Sequence, residues 1–126
     1  MKQLTKAEEQ VMQILWDLKE GVVKDVVNGF DENKPAYTTV ATVLKVLESK
    51  GFVQLRKVGN VNLFYPAISK ADYTRFQFSS LLQNYFNGSF PKMATFFAKE
   101  NNLSIQDLEE MMRNSGLEFT ENETEE

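Results

Sequence analysis

Pro35-Ala36-Tyr37-Thr38-Thr39-Val40-Ala41-Thr42-Val43-Leu44-Lys45-Val46-Leu47-Glu48-Ser49-Lys50-Gly51-Phe52 is the stretch whose reading decides the fold. On a helical wheel Val40, Val43, Leu44 and Leu47 fall at i, i+3, i+4 and i+7, the spacing of a buried stripe. Thr38, Thr42, Lys45 and Ser49 gather on the far side with Ala41 beside them. An exposed helix face in a soluble protein ordinarily carries paired Glu, Lys and Arg. This one is small, polar and uncharged over its first turns. Such a face can enter a DNA major groove, where hydroxyls bond base edges and methyls meet thymine methyls. A plain solvated amphipathic helix with β-branched residues has the same composition, so the flanking sequence must decide. Gly51 supplies the left-handed residue that ends the helix.

Upstream, Thr5 and Glu8 form a capping-box pair that opens a first helix, with Ala7, Val11, Ile14, Leu15 and Leu18 as its stripe and Gly21 as its stop. Trp16 falls off that stripe and points toward a neighbouring helix. Val23, Val26, Val27 and Phe30 predict a short second helix, and Asp31-Glu32-Asn33-Lys34-Pro35 a polar turn. Two short helices, a turn and an amphipathic third helix are the helix-turn-helix order. Downstream the period changes to alternation. Phe52 to Val58 and Val61 to Pro66, joined by Gly59-Asn60, read as a β-hairpin, with Val61, Leu63 and Tyr65 on one face. Arg56, Lys57, Asn60 and Asn62 lie at or near its tip. A hairpin directly after a recognition-type helix is a wing, and basic residues there suit phosphates or a minor groove.

From Ser69 the pattern is helical again. Tyr73, Phe76, Phe78, Leu81, Leu82, Tyr85 and Phe86 exceed what one stripe can bury, and Asn87-Gly88 closes that helix. Phe90, Met93, Ala94 and Phe97 form the next stripe, and Ser104 with Asp107 caps a last helix carrying Ile105, Leu108, Met111 and Met112. Large aromatics and Met dominate the buried centre of dimer interfaces. Phe76, Leu81, Leu82, Tyr85, Phe86, Phe90, Met93, Phe97, Leu108 and Met112 are therefore the candidate dimerisation residues. Folding of these helices back onto the N-terminal segment is the alternative.

The architecture expected is mostly α with a small β-hairpin: a winged helix-turn-helix domain over residues 1–70, a helical dimerisation region over 71–114, and an acidic, disordered tail over 115–126. The 126 residues are 42% hydrophobic, enough for a packed core, and no run approaches the ~20 apolar residues of a membrane span. The N-terminus has no signal-peptide core, so a cytoplasmic location is expected. Cysteine and histidine are both absent, which excludes disulfides, thiolate metal sites, cysteine nucleophiles and the commonest general acid–base. No carboxylate cluster suggests a hydrolase. The expectation is a non-enzyme with no cofactor and no metal. The formal net charge of −4 is unevenly spread: residues 1–70 hold ten Lys or Arg against eight Asp or Glu, residues 71–126 four against ten. A mildly basic front precedes an acidic back.

Leu4-Thr5-Lys6-Ala7-Glu8 with Ile14-Leu15-Trp16, Ala36 to Lys45, Lys50-Gly51 and Phe64-Tyr65-Pro66 resemble the penicillinase-repressor family of bacterial transcriptional regulators, over about Leu4 to Arg113. The resemblance implies a winged-helix repressor that binds double-stranded operator DNA as a homodimer formed by its C-terminal helices. With residues 37–50 as recognition helix and 53–66 as wing, Tyr37, Thr38, Thr39, Thr42, Lys45, Arg56, Lys57 and Asn60 are the candidate DNA contacts. In antibiotic-sensing members, the resemblance implies, a membrane sensor triggers proteolysis at an Asn-Phe bond, to which Phe96-Phe97 corresponds here. Val46 stands where the family often has a basic residue, and the cysteine cluster of copper-responsive relatives is missing. The alternative function is a winged-helix module for protein contacts without DNA binding.

Overall fold

The computed structural model describes residues 1–101 and 104–114. Its chain divides into two compact units, Met1–Lys70 and the residues from Ala71 onward. The first contains α1 (Lys6–Leu18), α2 (Val23–Asn28), α3 (Tyr37–Ser49), β1 (Val53–Val58) and β2 (Val61–Pro66).

Helix α1 starts where the sequence predicts. Thr5 Oγ1 accepts the Glu8 N–H at 3.2 Å, and Glu8 Oε1 accepts the Thr5 N–H at 2.9 Å. Its buried stripe is displaced from the expected one: Glu8, Val11, Met12 and Leu15 face inward, whereas Ala7 and Leu18 are exposed. The helix also stops earlier than Gly21. Lys19 adopts φ 73° and its N–H returns to the Leu15 carbonyl. Gly21 instead joins the wing, exchanging two backbone hydrogen bonds with Phe64 at 2.9 and 2.8 Å. Trp16 Nε1–H donates to the Ile68 carbonyl at 2.8 Å and ties the chain leaving the hairpin to α1.

The second and third helices pack on each other, and both on α1. Where α2 ends, Gly29 comes so near α1 that a Cβ there would sit 2.4 Å from Ile14 Cγ2. Helix α3 buries Val40, Leu44 and Leu47, with Val43 half-buried. It ends in a Schellman arrangement: Gly51 takes φ 83°, its N–H donates to Glu48, and the Phe52 N–H donates to Leu47 at 2.9 Å. The hydrophobic partner required just past such a cap is Phe52, which is fully buried.

Strands β1 and β2 pair antiparallel from Val53↔Pro66 to Val58↔Val61. At the turn Gly59 has φ 63° and Asn60 stays out of positive φ, the pattern of a type II′ hairpin. Val53, Leu55 and Lys57 share one face with Phe64 and Asn62; Gln54, Arg56 and Val58 share the other with Tyr65, Leu63 and Val61. Val53 and Phe64 are buried in the core, so the first face is the inward one. Three helices followed by this hairpin make a winged helix-turn-helix.

A largely buried ion pair joins two helices of the unit. Lys50 Nζ lies 2.6 Å from Glu8 Oε1, joining the end of α3 to the first turn of α1. Burial pushes the Glu8 carboxyl up, but the Lys50 ammonium and the Thr5 N–H outweigh it and hold the group below its ordinary 4.5. The unfolded chain therefore binds this proton more readily. The contribution to stability is complete above about pH 4.5 and disappears as pH falls through the depressed folded value. Glu8→Gln should flatten the acid limb of the stability profile relative to wild type. Lys50→Met, which strands a buried carboxylate, should cost about 1–3 kcal/mol at pH 7 in urea unfolding.

The second unit holds α4 (Lys70–Phe86), α5 (Phe90–Asn101) and α6 (Ile105–Asn114). Asn87 (φ 52°) and Gly88 (φ 77°) end α4, with the Gly88 N–H on the Leu82 carbonyl. Ser89 Oγ caps α5 through the Lys92 N–H, and Ser104 and Asp107 cap α6 reciprocally. Tyr73, Met93 and Ala94 are buried. Phe86 packs against Phe96 and Phe97 with ring centroids 5.6 and 6.1 Å apart. Residues 115–126, expected as a tail, lie outside the described residues. Among the described residues no helix is long and apolar enough to cross a membrane.

Candidate nucleic-acid interface

The outer face of α3 does not stand alone. The first turn of α2 and the wing rise on either side of it and enclose an open groove of about 730 Å³. Tyr37, Thr38, Ala41, Thr42 and Lys45 line it from α3, Val22, Val23 and Lys24 from the α2 end, and Asn60, Val61, Asn62 and Phe64 from the wing. The α3 register produces this directly: residues that do not bury Val40, Leu44 and Leu47 must face away from the core. The wing is held in place by the Gly21–Phe64 backbone pair, which sets β2 beside the start of α2.

Five of the eight residues expected to contact DNA meet in this groove: Tyr37, Thr38, Thr42, Lys45 and Asn60. Thr39 does not. One residue turns the helix by 100°, and Thr39 lines a separate cleft of about 250 Å³ with Ala7, Gln10, Phe30 and Pro35. Lys57 lies on the groove-side face of the hairpin, opposite Asn62. Arg56 lies on the reverse face, where its guanidinium is 3.1 Å from Glu20 Oε2. Both partners are about half exposed, so this pair is a weak one.

Lys24 was not legible as a site residue. Nothing in Val22-Val23-Lys24-Asp25 distinguishes it, and only the packing of α2 against α3 brings it to the groove. No carboxylate lines the groove, and among the described residues neither Lys24 nor Lys45 forms an ion pair. The result is a floor of hydroxyls and methyls with Lys45 further along it and Lys24 on the α2 side. Thr42 Oγ1–H donates to the Thr38 carbonyl at 2.9 Å, fixing that side chain.

The sequence model described as "Penicillinase repressor" matches residues 4–114 of this chain. The chain belongs to the penicillinase repressor family. Within it, the penicillinase repressor of Bacillus licheniformis is 26% identical over 110 residues, covering 86% of each chain. The methicillin resistance regulatory protein MecI of Staphylococcus aureus (strain N315) is 22% identical, covering 86% of this chain and 89% of MecI. Among solved structures, the monomeric form of Bacillus licheniformis BlaI in complex with the blaP half-operator matches with a TM-score of 0.49 and 27% identity, covering 57% of this chain and 89% of that one.

The candidate dimerisation residues fall into three groups. Phe76, Leu81, Leu82, Phe86, Phe90 and Phe97 are half-buried, and Tyr85 is 76% exposed. Met93 is buried within the single chain, so it packs the interior and offers no surface to a partner. The side chains of Leu108 and Met112, on α6, lie outside the described residues. The Phe96–Phe97 bond is inside α5, with the two rings edge to face at 5.3 Å.

Proposed function

We propose that this chain is a cytoplasmic transcriptional repressor that binds operator DNA as a homodimer, with α3 in the major groove and the β1–β2 wing on the backbone. The groove carries the reading: α3 presents hydroxyls and methyls on its exposed face, Lys24 and Lys45 flank them, and no carboxylate opposes a phosphate. Membership of a family named for penicillinase repressors supports it. Thr38 and Thr42 then reach base edges, while Lys24, Lys45 and Lys57 meet phosphates. Arg56 joins them by leaving Glu20. The exposed aromatic surface of α4 and α5 supplies the dimer contact.

Two protomers with about four cations each should give a steep salt dependence. Raising salt from 50 to 200 mM should weaken binding by roughly 10³–10⁵-fold. Lys45→Ala should weaken binding to selected and random duplexes alike and lower the salt slope by about 1 per protomer. Gel shift on duplexes selected from a random pool measures both. A pool from which nothing is retained at low salt would favour a winged-helix module for protein contacts. Release through a membrane sensor or protease acting at Phe96–Phe97 would require α5 to unwind first, since a protease reads extended chain; mass analysis of fragments after induction tests it.

A further inference from the structure

Thr42 lies in the groove with its hydroxyl already committed. Its Oγ1 is 2.9 Å from the Thr38 carbonyl oxygen, and a carbonyl cannot donate, so the proton in that bond is the threonine's own. A freely rotating hydroxyl matches base donors and acceptors equally. This one keeps only its lone pairs for a ligand, and the bond fixes χ1 and with it the place of the γ-methyl.

We infer that Thr42 reads its base pair as a hydrogen-bond acceptor plus a methyl group, and so selects an A·T pair in the major groove. The inference rests on the DNA-binding reading above and specifies its chemistry. In the major groove only the adenine N6 and cytosine N4 amino groups donate; guanine N7 and O6 and thymine O4 accept. An acceptor side chain therefore pairs with adenine or cytosine and is repelled by guanine. The methyl resolves the remaining choice, because an A·T pair carries the thymine 5-methyl and a G·C pair has no counterpart. Ala41, beside Thr42 on the groove floor, adds a second small apolar group and no donor. Lys45, one turn further along α3, carries an ammonium donor able to read guanine. Discrimination thus divides along the helix, with A·T under Thr42.

The test uses the full chain and a duplex selected from a random pool, in which each thymine is replaced in turn by deoxyuridine and each adenine by purine lacking the 6-amino group. Loss of one methyl contact should weaken wild type about fourfold at one thymine per half-site. Thr42→Ser, which keeps the hydroxyl and removes the methyl, should be indifferent to deoxyuridine there. Thr42→Val, which keeps the methyl and removes the acceptor, should stay sensitive to deoxyuridine and become indifferent to the missing amino group. Thr42 is exposed, so both variants fold. Deoxyuridine effects that survive unchanged in Thr42→Ser, or a G·C pair selected by wild type and lost in Thr42→Ala, overturn the inference while leaving DNA binding intact. Failure to retain any duplex overturns both.

Discussion

Phe52→Ala should remove a large fraction of the stability of the Met1–Lys70 unit. Phe52 is fully buried and sits where three elements meet: its N–H closes the end of α3 on Leu47, its carbonyl accepts the Ala67 N–H beyond β2, and β1 begins at the next residue. Removing a buried phenylalanine costs about 3–5 kcal/mol, the transfer of its ring plus the cavity left behind. A unit of this size is stabilised by roughly 4–10 kcal/mol in total. The melting temperature, followed by circular dichroism, should fall by at least ~12 °C. Val46→Ala on the same helix is the control. Val46 is 39% exposed, and its truncation should change stability by no more than about 0.5 kcal/mol. Similar losses for both would mean that α3 is not anchored through its C-terminal cap.

The same residue shows why the fold was legible. Leu44, Leu47, Gly51 and Phe52 announce a helix, its stop and its apolar cap within nine positions, and Gly59-Asn60 announces the hairpin, because each signal is local. The departures come from contacts that sequence spacing does not encode. Glu8 reads as a capping-box residue, and its second partner, Lys50, lies 42 positions later; the buried face of α1 takes in Glu8 and Met12 and leaves Leu18 out. Gly21 reads as a helix stop because its bridge to Phe64 is backbone only and leaves no side-chain pattern.

The site divides in the same way. Thr38, Thr42 and Lys45 follow from helical geometry alone, since they share the face opposite the buried stripe. Thr39 entered through family resemblance, and 100° of helix rotation carries it into the cleft with Ala7 and Pro35. Lys24 required the packing of a second helix before it could be counted. Arg56 and Lys57, adjacent in sequence, part because successive strand residues point to opposite faces. A basic tip in sequence is thus one groove-side cation and one held by Glu20.

Ending the chain after Lys70 should leave a folded monomer whose affinity for a two-half-site duplex is lower by roughly 10²–10⁴-fold. Folding should survive because the first unit's core residues, from Val11 to Phe64, and the Trp16–Ile68 and Phe52–Ala67 hydrogen bonds all lie within the retained segment. Dimerisation should not, because Tyr85 and the half-buried rings of Phe76, Phe86 and Phe90 are removed with it. Charge works in the opposite direction. Residues 71–126 carry four cations against ten acids, and deleting them removes repulsion from any duplex. The two effects separate by substrate, since lost repulsion strengthens binding to random and dyad DNA alike, while lost avidity removes the gain from engaging two specific half-sites, which only the dyad offers. Measured on both duplexes at one salt concentration, the truncated chain should lose nearly all its preference for the dyad over random DNA. A truncated protein that sediments as a dimer, or keeps the full preference, would place the dimer contact within Met1–Lys70 and leave the aromatic surface of α4 and α5 for another partner.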